Sequence, residues 1–269
     1  MTTLRGLTIG VIGAGTMGQA LLRGLLATGV PARALRAADA DAGMRRQVQR
    51  LRIRVVADNA ALVKASDVVI LAVKPQQLAA VAARIRPRLS SRHLVVSIAA
   101  GIPLRWLQTH LGTTALIRVM PNLPATVGAG FAAVAPHRMT SARQRAIARA
   151  IFGAVGDVVE LPERDFDAVT AVSGSGPAYV FFLVQAWEQA AAALGLPKAA
   201  AARAIRRTLA GSVKLLEASG EPADVLIRKV ASKGGTTEAA LRVLARRRTA
   251  TGLAEAVRAA ARRSRALSY

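Results

Sequence analysis

Gly13-Ala14-Gly15-Thr16-Met17-Gly18 follows directly on the apolar run Leu7 to Ile12 and opens a stretch with helical spacing. In that setting a G-x-G-x-x-G loop suits the pyrophosphate of a dinucleotide. The first glycine permits a tight turn, the second lets the backbone approach phosphate oxygens, the third lets helix and strand pack closely, and the helix N-terminus stabilises the anion. Gly13, Gly15, Thr16, Met17 and Gly18 are therefore candidate cofactor contacts. Asp39, 21 residues beyond Gly18, ends the second strand candidate, where a carboxylate accepts hydrogen bonds from adenosine ribose hydroxyls and favours NAD. Arg36, Arg45 and Arg46 stand close in sequence and suit a 2′-phosphate, so NAD and NADP both remain open. A helix N-cap role for Asp39 is compatible with either.

A second chemical centre lies far along the chain. Ser232-Lys233-Gly234-Gly235-Thr236-Thr237, ahead of a helical pattern, offers consecutive backbone N–H groups and hydroxyls to a carboxylate. The residues alone equally describe a glycine turn with a threonine N-cap, with Glu238 on a solvated face. All three histidines, His93, His110 and His137, precede residue 164, so the chain beyond it offers no imidazole acid or base. Lys214 is a mid-helix group there that a 3-hydroxy-acid reductase could use as acid and base, and on a helix face it also reads as a snorkelling lysine. The absence of cysteine excludes disulfides and Cys-based zinc sites, no metal site is expected, and a reducing cytoplasmic setting fits.

The elements that must hold these residues divide the chain by class. Leu7 to Ile12, Ala34 to Ala38, Arg54 to Val56, Val68 to Val73, Leu94 to Ile98 and Leu116 to Val119 read as strands, with Phe131 to Ala135 and Val158 to Leu161 as extensions. Their alternation with helical patterns predicts an α/β fold with a Rossmann-like doubly wound sheet over residues 1–163. From Phe166 onward helical spacing takes over, and residues 164–269 are expected to form an all-α substrate-binding and dimerisation domain. Its helices run from Pro177 to Leu194, Lys198 to Ala218, Ala223 to Ala231, Thr236 to Arg247 and Leu253 to Leu267.

The uncharged stretch 168–187 is long enough to suggest a membrane span, but Ser173 to Pro177 is expected to interrupt it. The Pro177 to Leu194 helix is apolar around much of its circumference and must be buried, which predicts packing against a second copy. The formal charge of +23 would suggest nucleic acid, yet the arginines are scattered and aromatics make up only 3%, leaving no stacking platform. No nucleic-acid or membrane partner is expected.

Six stretches together resemble pyrroline-5-carboxylate reductase: Ile12 to Gly18, Leu71 to Gln76, Ser97 to Ile102, Arg118 to Asn122, Ser173 to Tyr179 and Gly234 to Thr237. The resemblance implies hydride transfer from NAD(P)H, with NADP(H) preferred and NAD(H) possible, to the C=N carbon of 1-pyrroline-5-carboxylate, giving L-proline. It implies that Thr237 faces the imine nitrogen as the catalytic residue, with Ser232, Gly234, Gly235 and Thr236 holding the substrate carboxylate. Asn59 is placed by it near the adenosine ribose, and Ala72, Val73 and Lys74 over the cofactor. Ala99, Ala100, Gly101, Pro121, Asn122 and Ser173 fall at the nicotinamide. It also implies a homodimer through the C-terminal helices, extendable to a ring of dimers. The reaction agrees with the missing histidine, because a protonated imine already draws hydride and asks little acid chemistry of the protein. Two positions depart from the pattern: Lys233 stands where the family has proline, and Arg228 where an acidic residue is expected. The rival readings are a 3-hydroxy-acid or cyclic imine reductase, and a dinucleotide sensor without catalysis.

Overall fold

Strands apolar on both faces can only be stable with helices above and below them, and the computed structural model, which describes residues 2–112 and 115–268, has that arrangement. The strands are β1 (Ile9–Ile12), β2 (Leu35–Ala38), β3 (Arg54–Val55), β4 (Val68–Leu71), β5 (Leu94–Ser97), β6 (Leu116–Pro121), β7 (Gly130–Pro136) and β8 (Gly156–Glu160). They form one sheet of order β3-β2-β1-β4-β5-β6-β7-β8. Every pair is parallel except β6 and β7, which run antiparallel. Side chains alternate between two cores: Ile9 and Val11, Val68 and Ile70, Leu94 and Val96 on one face; Ile12, Val69, Leu71 and Val95 on the other. The alternation has period two, yet both sets are apolar, which accounts for the continuous hydrophobic runs in the sequence.

Helices α1 (Thr16–Ala27), α2 (Ala42–Arg50), α3 (Asn59–Lys64), α4 (Pro75–Ile85), α5 (Leu104–Leu111) and α6 (Ala142–Gly153) fill the crossovers. Chain order reverses between β2 and β4, which flank β1. The loops leaving the carboxyl ends of β1, β2, β4 and β5 therefore open at one edge, the switch point where such sheets bind ligands.

After β8 come α7 (Phe166–Val169), a π-helical segment Thr170–Gly174, and α8 (Gly176–Ala193). Here the structure corrects the expected break at Ser173 to Pro177. The backbone stays helical, with Ser175 N–H donating to the Thr170 carbonyl at 2.8 Å, an i to i+5 bond that admits one extra residue. Pro177 sits in the first turn of α8, where its missing amide proton costs nothing. Stretch 163–193 is thus, among the described residues, a helix long and apolar enough by length and composition to cross a membrane.

The chain forms two compact units, one running to Ser175 and including the stretch from Ala260 onward, the other Gly176–Ala259. The boundary expected from sequence lies earlier, at 163/164. Phe166 and Ala171 are buried, and Phe166 belongs to the second core of the sheet, so α7 and the π segment belong to the first unit. The second unit holds α8, α9 (Lys198–Ser219), α10 (Ala223–Val230), α11 (Thr236–Arg246) and most of α12 (Thr249–Leu267). Its own core is small: Ala191, Ala201 and Ile205, with Val184 and Leu209 against them. One chain alone leaves Phe182 73% exposed, Phe181 60% and Leu194 83%.

Candidate active site

The glycine loop is built as the sequence reading requires, and each glycine answers to a different constraint. Gly13 has φ +97°, and a Cβ there would come within 2.7 Å of the Ala72 backbone. At Gly18 a Cβ would meet the Gly13 carbonyl at 2.1 Å, so the third glycine is what lets α1 close on the loop. Gly15 differs from both: φ is −70°, and nothing lies within 4 Å of a Cβ built there. Beyond its place as the N-cap of α1, no packing or dihedral demand requires glycine at position 15, and the open space beside it would admit a ligand. Gln19, which the sequence reading passed over, braces the turn by donating to the Ala14 carbonyl at 2.8 Å.

Asp39 ends β2 beside this loop. Its Oδ2 accepts from Ala14 N–H at 2.6 Å and its Oδ1 from Asp41 N–H at 2.8 Å. The helix N-cap role considered for Asp39 is corrected: Asp41 caps α2, accepting from Met44 N–H at 3.0 Å. The Met44 and Gly43 amides, and more weakly Arg46 and Arg45, hold the Asp41 carboxyl below its usual range. Arg45 reaches back to the Asp39 and Ala40 carbonyls at 2.9 and 2.8 Å, which fixes a cation at the loop. Arg36 instead donates to the Arg33 carbonyl.

A cleft of about 510 Å³ is lined by Gly13, Gly15, Asp39, Asn59, Ala72, Val73 and Lys74, with Arg84 of α4 at its wall. Arg84, Asp39 and Asn59 also line an adjoining recess of about 350 Å³. Asn59 is the first residue of α3, whose cap is Asp58. Lys74 is exposed and precedes Pro75, the first residue of α4. Another cleft of about 280 Å³ shares Ala72, Val73 and Lys74 and adds Met17, Ala99, Ala100 and Pro121. The two thus bring together most of the cofactor residues expected from sequence, along the carboxyl ends of β1, β2, β4 and β5. A larger cleft of about 680 Å³, between Leu4–Thr8 and Gly29–Ala34, lies at the amino ends of β1 and β2 and contains none of them.

Thr16, Gly18, Gly101, Asn122 and Ser173 do not line these clefts. Thr16 opens α1. Asn122 donates to Ser173 Oγ at 3.0 Å and accepts from Phe131 N–H at 2.9 Å, tying the π segment to β7. Gly101, buried, is left-handed at φ +74°. Arg118, only 7% exposed, pairs with Glu163 Oε1 at 3.0 Å and lies 4.9 Å from the Phe166 ring centre, and the same Oε1 accepts from Leu104 N–H at 2.7 Å. No local pattern could have revealed a bridge between residues 45 positions apart.

In the second unit, the loop Ser232 to Thr237 leads into α11 with Gly235, not threonine, at the N-cap. The structure also corrects which amides are free. Gly235 N–H closes the turn onto the Ser232 carbonyl at 3.0 Å, and Gly234 N–H donates to Glu238 Oε2 at 2.5 Å. The amides of Thr236 and Thr237 belong to the first turn of α11, where no intrahelical acceptor exists, and they are the donors left for an anion. Ser232 Oγ packs against Gly235, where a Cβ would come within 2.5 Å of it. Arg228 pairs with Asp224 at 2.7 Å, Glu238 with Arg242 at 2.9 Å, and Lys233 and Lys214 are exposed.

None of the histidines lies in these clefts. His93 is 1% exposed just before β5; its Nδ1 takes the Ser90 N–H at 2.9 Å and its Nε2 faces the Val63 carbonyl at 3.2 Å, the pattern of a neutral ring protonated at Nε2. Burial, then the neighbouring Arg92, pushes its pKa down. His110 stacks on Trp106.

Comparisons with known proteins agree with this layout. Residues 163–267 match the family described as pyrroline-5-carboxylate reductase dimerisation, and residues 8–101 the one described as NADP oxidoreductase coenzyme F420-dependent. The chain is 42% identical to the pyrroline-5-carboxylate reductase of Synechocystis over 261 residues, 96% of this chain and 97% of that one. The solved reductase of Coxiella burnetii superposes with a TM-score of 0.92 at 31% identity, covering 98% and 99% of the two chains. That of Plasmodium falciparum, solved with NADP bound, gives 0.89 at 27%, again over 98% and 99%.

Proposed function

The chain belongs to the pyrroline-5-carboxylate reductase family, and from that premise we propose how its own residues divide the reduction of 1-pyrroline-5-carboxylate to L-proline. The observation that carries the reading is Gly15: a glycine with ordinary dihedrals and open space around it, between two glycines that the fold itself demands. The loop fits a dinucleotide. Gly13 to Gly18 and the N-terminus of α1 would hold its pyrophosphate, Asn59 and Asp39 its ribose, and Met17, Ala72, Ala99, Ala100 and Pro121 its nicotinamide end. When bound, the reduced dinucleotide supplies the hydride that becomes the new C–H bond at the imine carbon.

Each oxygen of Asp39 already accepts one bond from the backbone, so this carboxylate shapes the loop as well as offering its remaining lone pairs to the ribose. Arg45 and Arg84 stand ready for a 2′-phosphate, which supports NADP(H) with NAD(H) also accommodated. At the substrate, the Thr236 and Thr237 amides and Ser232 Oγ hold the carboxylate. The Thr237 hydroxyl faces the imine nitrogen, orienting a ring whose nitrogen is already protonated. Positioning and a fixed anion site then account for the rate, without a protein imidazole.

The exposed apolar face of α8 and α9 is covered by a second copy through the matched dimerisation region, and assemblies larger than a dimer are rings of that unit. That burial, rather than a break in the helix, is our reason for reading the 163–193 helix as a protein interface in a cytoplasmic enzyme with no membrane or nucleic-acid partner. Thr237→Ala tests the assignment. Turnover is expected to fall at least tenfold with cofactor affinity within about twofold of the parent, and Thr237→Ser to restore most of it, as loss of one oriented hydroxyl bond predicts. An unchanged rate for Thr237→Ala would remove the role.

A further inference from the structure

The carboxyl-terminal turn of the chain touches the loop that follows β5, and it does so through its main chain. A Cβ at Gly101 would lie 2.8 Å from the Leu267 carbonyl oxygen and 3.3 Å from its carbon, so this glycine is required twice, by its left-handed φ of +74° and by the close approach of the tail. The tail is not there to bury apolar surface: the Leu267 side chain stays 53% exposed. What fastens it is Ser264, whose Oγ donates to Asp167 Oδ1 at 2.7 Å, with Arg265 Nε 3.7 Å from Oδ2. Arg265 is largely exposed and contributes little, whereas the short hydroxyl–carboxylate bond is partly buried and directional. Ser268 closes the turn, donating through N–H to the Arg265 carbonyl and through Oγ to the Ser264 carbonyl.

The Gly101 end of this contact borders the cofactor cleft, and the Asp167 end is anchored to the core of the sheet. Asp167 is held by α7, next to the fully buried Phe166, on the same helical stretch that carries Ser173 and its bond to Asn122. Gly101 ends the stretch Ala99-Ala100-Gly101, whose first two residues line the 280 Å³ cleft. Within that stretch Ala99 N–H donates to Ser97 Oγ, and Ile102 N–H turns back to the Ala99 carbonyl only at 3.5 Å, so the loop has little internal bracing. We infer that residues 264–268 form a strap that positions the Ala99–Gly101 loop of the cofactor cleft, with Ser264 and Asp167 as its clasp. These are positioning residues, and the inference rests on the dinucleotide reading of that cleft.

Full-length Ser264→Ala, Ser264→Thr and Asp167→Asn are compared with the parent for NADPH affinity by fluorescence titration, for KM and kcat, and for thermal midpoint. Ser264→Ala and Asp167→Asn are expected to raise the NADPH Kd and KM about three- to tenfold, with kcat within about twofold and the midpoint little moved. Ser264→Thr, which keeps the hydroxyl, is expected to return both values to the parent's. If Ser264→Ala lowers the midpoint while Kd and KM stay at the parent values, the strap serves only to hold the fold and the inference is overturned. If the parent binds NADPH and all three variants bind it equally, the strap alone falls. If the parent itself fails to bind, the cofactor reading falls and takes the strap with it.

Discussion

Replacing Gly15 by alanine separates ligand from fold in a way few substitutions can. The residue is the N-cap of α1 with φ −70° and ψ −167°, which alanine adopts without strain, and its Cβ would meet nothing within 4 Å. Loss of a favoured cap residue costs about 0.5–1 kcal/mol, and reduced freedom of the unfolded chain returns about 0.4–1 kcal/mol, so the thermal midpoint should move by no more than about 2 °C. On the proposed reading, however, the methyl group occupies the space through which phosphate oxygens would reach the loop amides. Losing one charge-assisted hydrogen bond of about 1.5–3 kcal/mol weakens dinucleotide binding about 10- to 100-fold. Gly18→Ala is the internal contrast: its Cβ would lie 2.1 Å from the Gly13 carbonyl, so loop or helix must shift. That variant should lose stability, by about 1–3 kcal/mol, as well as affinity. The assay is a fluorescence titration with NADPH beside a melt of each variant. A folded Gly15→Ala protein that binds NADPH as tightly as the parent would refute the reasoning that gives this loop a ligand.

Two further outcomes follow from the first unit. Glu163→Ala would leave the buried Arg118 guanidinium, among the described residues, with only the Phe166 ring; breaking a buried pair costs about 3–5 kcal/mol, and because the Glu163 side chain is 31% exposed a loss of about 2–3 kcal/mol is expected in chemical unfolding. Glu163→Gln, which keeps the acceptor for Leu104 N–H, should recover part of it, and a loss below about 1 kcal/mol for the alanine variant would contradict the account. His93 has its folded pKa pushed below the ordinary 6.5, so the unfolded chain takes up a proton first. Its contribution is fully present above that value and is lost as pH falls through it toward the folded pKa. Unfolding midpoints of the parent should therefore drop more steeply on acidification than those of His93→Gln, and parallel curves would show that His93 does not titrate in this way.

The sheet was readable from the sequence because strands covered on both faces leave continuous apolar runs, and all eight strand cores could be placed from Ile9, Val68, Leu94 and their like. The glycine loop was readable because Gly13 and Gly18 face steric demands that only glycine meets, with Gly15 open between them at the head of α1. Three features were not. The π segment depends on one i to i+5 bond, and Ser-Gly-Ser-Gly-Pro has the composition of a turn. The assignment of amides in the Ser232 to Thr237 loop depends on Glu238 reaching back to Gly234, a side-chain choice no spacing rule dictates. The brace between Arg118 and Glu163, like the contact of Leu267 with Gly101, joins residues distant in the chain, and one sequence carries no signal for such pairs.

The most direct test of the central claim is to give the purified protein NADPH carrying deuterium at the transferable position of the nicotinamide, together with 1-pyrroline-5-carboxylate, and to analyse the product by mass spectrometry and NMR. The expected result is L-proline with one deuterium on the ring carbon that was double-bonded to nitrogen, formed in step with cofactor oxidation. Cofactor left reduced, or proline without the label, would contradict the account.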